Sequence, residues 1–123
     1  MQAYQIQLRQ LLEDHGWEVV GVLESDDWWA DEFWKIESRR NAWGLAIVLT
    51  FLVDPMWDAS RKKGQGVWAI GATERVPTER PSAERGIAEL CIMKGRFNEK
   101  LAAFVDALDE YRNGSVSAKE SRA

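Results

Sequence analysis

Three features predict an α+β fold in a single small domain: helical spacing of apolar residues near each end, period-two alternation between them, and turn-forming residues separating the alternating stretches. A chain of 123 residues is the usual size of one domain. The expected architecture is an antiparallel four-stranded meander flanked by an N-terminal helix and one long or broken C-terminal helix. Residues 1–112 would form the domain and 113–123 a disordered polar tail.

Tyr4, Leu8, Leu11 and Leu12 recur at helical spacing among Gln, Arg and Glu, and Gly16 follows where a helix C-terminal cap is expected, which predicts a helix over 2–15. From Trp17 the pattern alternates: Trp17, Val19 and Leu23 on one face of a first strand, Val20 and Val22 on the other. Asp26-Asp27 opens a turn, and a second strand is expected from about Glu32 to Arg40. Asn41-Ala42 would close a short hairpin into a third strand, Trp43 to Val53, that is apolar on both faces and therefore central. Asp54-Pro55 ends it, and after a polar loop Val67 to Thr73 reads as the fourth strand.

Pro77 and Pro81 bracket an irregular connection. Ser82 then reads as the cap of a helix whose stripe is Ile87, Leu90, Lys94, Phe97, Leu101, Phe104, Leu108 and Tyr111. Gly95 interrupts the stripe, so the alternatives are one long weakened helix, or a short helix, a bend and a second helix from Arg96 to Arg112.

Seven tryptophans, five of them between Trp28 and Trp57, set the packing problem. Trp17, Trp34, Trp43 and Trp68 are expected on the face that meets the C-terminal helix. The opposite face, with Val20, Val22, Ala46, Val48, Leu52 and Ala69, is too apolar for a solvated surface. Either the N-terminal helix lies on it, giving a sheet between two helices, or a second subunit or partner peptide does.

Composition narrows the function classes. Apolar residues make up 46% and charged residues 29%, a globular balance. No apolar run approaches the roughly 20 residues needed to cross a bilayer, and the N-terminus lacks the pattern of a secretory signal. Cys91 stands alone and His15 is the single histidine, which removes an internal disulfide, a cysteine-rich zinc site and a paired-imidazole site. The expectation is a cytoplasmic protein without metal or cofactor. The chain carries a net charge of -4 and no recognised nucleic-acid motif, which argues against nucleic acid as a partner.

Three segments could carry chemistry. Asp26-Asp27-Trp28-Trp29-Ala30-Asp31-Glu32 mixes carboxylates with indoles, as in sites that place acids beside a stacking surface, and Asp27, Asp31 and Glu32 are the candidate acids. The same composition suits an ordinary strand reversal with an acidic rim. Arg61, Lys62 and Lys63 before Gly64-Gln65-Gly66 are candidate anion binders, although phosphate loops run from a strand into a helix and this one runs into a strand. Trp28, Trp29 and Trp57 fall at strand ends or in loops, where indoles either close a core or present a contact site. His15 reads as a helix-terminus residue and Cys91 as a small hydrophobe rather than a nucleophile.

These readings favour a non-enzymatic protein-interaction or adaptor module that binds a protein partner or a second copy of itself as a homodimer, acting through an apolar sheet face or the tryptophan-rich end. The alternative is a small-ligand-binding or hydrolase-like domain using residues 26–34.

Overall fold

The computed structural model describes residues 2–57, 60–81, 86–93 and 95–122, with side chains described as far as Gly114. Its elements are α1 (Ala3–Asp14), β1 (Trp17–Glu24), β2 (Ala30–Ser38), β3 (Ala46–Val53), β4 (Val67–Thr73), β5 (Ala88–Cys91) and α2 (Phe97–Arg122). The sheet is antiparallel throughout, in the order β1-β2-β3-β4-β5. The α+β class and the meander hold, with five strands instead of four.

The extra strand lies where the first part of the C-terminal helix was expected. Ile87 to Ile92 reads Ile-Ala-Glu-Leu-Cys-Ile, a stretch that fits period two as well as helical spacing. β4 would otherwise leave a ladder of backbone donors and acceptors unpaired, and β5 satisfies it through Ala69↔Cys91, Ile70↔Leu90, Gly71↔Glu89 and Ala72↔Ala88. Gly95 (φ 76°) and Arg96 (φ 54°) both adopt left-handed backbone, so the chain reverses before α2 begins at Phe97. Cys91 therefore sits on an edge strand, and Ser82 lies outside the described residues. α2 runs to Arg122, past the expected boundary at Arg112.

Both helices pack on one face. Leu8 and Leu12 of α1 and Leu101, Phe104, Val105 and Leu108 of α2 join Trp17, Trp34, Ile36, Ile47, Leu49, Phe51 and Ile70 in a single buried cluster. The sheet between two helices, one of the two arrangements weighed from the sequence, does not form. Trp43 is 71% exposed in the β2–β3 connection, which is longer than the short turn read at Asn41-Ala42, and Trp68 belongs to the other face.

That other face is covered by the domain's own residues. Trp29, Ala30, Phe33, Val48, Leu52 and Ala69 form a second buried cluster with Trp68 against it. Trp29 meets Phe33 edge-on at 6.2 Å, and the Arg80 guanidinium lies 5.8 Å from the Trp68 ring centroid. Thr50 is buried there, and its hydroxyl has no hydrogen-bond partner among the described residues.

Val20 and Val22 are not part of this surface. A register shift between Val19 and Gly21 inserts Val20 as a bulge, which inverts the side-chain parity of the rest of β1. Val22 then stands opposite Trp34 on the helix side, and Leu23 opposite Phe33 on the reverse side. All three of Val20, Val22 and Leu23 are exposed on an edge strand. Among the described residues no helix is long and apolar enough to cross a membrane.

Candidate functional site

The turn after β1, the start of β2 and the long β3–β4 connection meet at one end of the sheet. There they enclose an open cleft of about 440 Å³ lined by Glu24, Ser25, Asp26, Asp27, Trp28, Asp31, Trp57, Arg61 and Lys63. Of the candidate residues, this brings together Asp27, Trp28, Asp31, Trp57, Arg61 and Lys63. A second cleft of about 400 Å³ shares Asp31 and Lys63 with it and extends to Gln2, Gln5, Val22, Glu32, Trp34 and Gly64.

The remaining candidates lie apart from the first cleft. Trp29 is buried in the reverse-face cluster, closing a core. Glu32 lies behind, in the second cleft. Lys62 is exposed and lines neither cleft. Glu24 and Ser25 line the site without having been singled out in the sequence, and Asp26, part of the acidic segment, was not among the candidate acids.

Two of the carboxylates are already engaged. Asp31 Oδ1 accepts hydrogen bonds from Arg61 Nη1 at 2.7 Å and from the Gly64 amide at 3.0 Å. Glu32 Oε1 accepts from Gln5 Nε2 at 2.7 Å and Trp34 Nε1 at 3.2 Å, while its Oε2 lies 3.5 Å from Lys63 Nζ. These contacts tie β2 to the Arg61–Gly66 loop and to α1. The nearby Tyr4 phenol has its pKa pushed well above the ordinary value of 10.0, first by burial and then by the charges of Asp31 and Glu32.

Arg61 and Lys63, read as anion binders, face carboxylates: Arg61 pairs with Asp31, and Lys63 lies within 3.8 Å of Glu24 as well as near Glu32. Asp26 and Asp27 have no ion pair among the described residues. The Asp27 amide donates to Ser25 Oγ at 3.1 Å, which shapes the acidic turn.

The indoles divide sharply. Trp28 is 64% exposed and Trp57 48% exposed, both on the same cleft. Trp57 is seated against the backbone of Gly66, where an added Cβ would come within 2.6 Å of the ring, and the glycine's φ of 75° is one that side-chain-bearing residues rarely adopt. The Gly-Gln-Gly run is thus a seat for an indole and a clamp on Asp31.

At the opposite end of β1, His15 caps α1, and its Nδ1 meets Asp109 Oδ2. Asp109 Oδ1 accepts from Trp17 Nε1 at 2.9 Å and from Arg112 Nη2 at 3.2 Å, and the Arg112 guanidinium lies 4.6 Å from the Trp17 ring centroid. Burial lowers the pKa of Arg112, Asp109 acts against that shift, and Arg40 adds to it. His15, Asp106 and Asp109 have potential metal-ligand atoms within 4.8 Å of one another. Two arginines beside this group oppose a cation, and the network reads as a staple between the helices and β1.

No family model matches this chain, and no curated protein or solved structure matches it significantly.

Proposed function

We propose that this protein is a non-enzymatic protein-interaction module that binds a segment of a partner across its tryptophan-rich end. The carrying observation is that Trp28 and Trp57, 64% and 48% exposed, face one open cleft while the other apolar face of the sheet is buried by the domain's own residues. Exposed indoles in a shallow cleft are the usual composition of a binding hot spot, since they offer large contact area with few rotatable bonds. Asp31 and Glu32 serve this site as scaffolding, because each already accepts two or more hydrogen bonds or ionic contacts. A lone cysteine fits a cytoplasmic setting for the interaction.

Selection of a displayed random-peptide library against the protein tests this. Enriched peptides should shift indole emission and lose affinity for Trp28→Ala and Trp57→Ala, both folded by circular dichroism. Absence of any enriched peptide, or peptides indifferent to both substitutions, would overturn the proposal. An emission response to sugars or nucleotides in place of peptides would favour the small-ligand reading.

A further inference from the structure

We infer that the segment bound in this cleft is basic, with a Lys or Arg side chain of the partner laid against Trp28 and Trp57 and its charge met by Asp26 and Asp27. This rests on the interaction reading and specifies its ligand.

The charges of the lining lead to it. Four carboxylates, from Glu24, Asp26, Asp27 and Asp31, face two cations, from Arg61 and Lys63. Arg61 is taken by Asp31, and Lys63 is shared between Glu24 and Glu32. The two carboxylates left over belong to Asp26 and Asp27, both exposed and immediately preceding Trp28 in the sequence. Such a surface repels an acidic segment and attracts a cationic one.

The indoles give the same answer by a different route. A ring face attracts an ammonium or guanidinium group, and tryptophan does so most strongly of the aromatic side chains. Trp57 is held in place by Gly66, so little freedom is lost when a cation settles on it. Trp43, exposed at 71% elsewhere on the surface, already carries Arg39 at 5.4 Å from its centroid. No such cation contact is present at Trp28 or Trp57 among the described residues.

A peptide fits better than a small cation because apolar surface continues beyond the cleft. Met56, next to Trp57, is exposed, as is Val22 near the end of β1 that leads into the acidic turn. Val22 lines the adjoining cleft, so an extended segment can span both hollows.

The test uses the full chain and the displayed random-peptide library. Enriched peptides should carry Lys or Arg, and synthetic versions should bind more weakly as salt is raised. The Asp26→Asn/Asp27→Asn double variant, whose side chains make no ion pair, should keep its fold and weaken binding about tenfold. Trp28→Ala should weaken it by a similar factor, and Trp43→Ala should leave it unchanged. Neutral or acidic peptides that bind through Trp28 and Trp57, and that tolerate the double variant, would overturn the basic-segment inference while leaving the interaction reading intact. A library yielding no binder would overturn both. Self-association abolished by Trp28→Ala but untouched by the double variant would also overturn the inference, making a second copy the occupant through apolar contact alone.

Discussion

Asp31 and Arg61 are joined at 2.7 Å across the base of the cleft, with the carboxylate side chain only 5% exposed. Thirty residues apart in the chain, they lock the β3–β4 connection onto the start of β2. Removing one partner of such a pair strands the other in a poorly solvated place. Arg61→Ala is therefore expected to cost about 3 kcal/mol, measured by urea unfolding. A loss below about 1 kcal/mol would mean that the pair behaves as an ordinary surface contact.

Gly66→Ala tests how Trp57 is positioned. A methyl group there meets the indole at 2.6 Å on a backbone with φ 75°, so both the ring and the turn must move. The expected cost is roughly 1 to 3 kcal/mol, with a red shift of indole emission as Trp57 leaves its seat. Peptide affinity should fall although no residue of the cleft lining has been altered. Unchanged emission and affinity would show that Trp57 does not depend on this close approach.

Val48 separates a self-covered sheet face from a subunit interface. It is 4% exposed within one chain, packed in the cluster with Trp29, Phe33 and Leu52. Val48→Asp buries an unpaired charge and is expected to cost roughly 3 to 5 kcal/mol. The variant should be broadly unfolded or strongly destabilised in circular dichroism. A folded monomer produced from a wild-type dimer would instead place a second copy on that face.

Tyr4 gives the alkaline limb of the stability curve a specific origin. Its phenol has a folded pKa raised above 10.0 by burial and by Asp31 and Glu32, so the native state holds a proton that the unfolded state releases first. The contribution is fully present below pH 10 and declines as pH rises above it, because the unfolded chain then binds fewer protons. Thermal midpoints of the wild type should fall through that range more steeply than those of Tyr4→Phe. Parallel curves would remove Tyr4 as the cause.

Much of the framework was legible from local pattern. The spacing of Tyr4, Leu8, Leu11 and Leu12 marks α1, and the alternation after Trp17 and the double-sided apolar runs mark β1, β3 and β4. The residues of the cleft were legible as types, since acids beside indoles, and cations before two glycines, stand out in any reading. Their meeting was not, because Trp28 and Trp57 are separated by the whole β2–β3 hairpin and share a cleft only once the strands register.

What the sequence by itself determined is the class of the fold and the order of its first elements, since each depends on periodicity over neighbouring residues. Tertiary structure alone decided that Ile87 to Ile92 serves β4 as a fifth strand, that the bulge at Val20 reverses the faces of β1, and that both helices share one side of the sheet. Those outcomes depend on which distant backbone groups and apolar surfaces need a partner. A short apolar segment satisfies helix and strand patterns equally, and only the unpaired edge beside it selects between them.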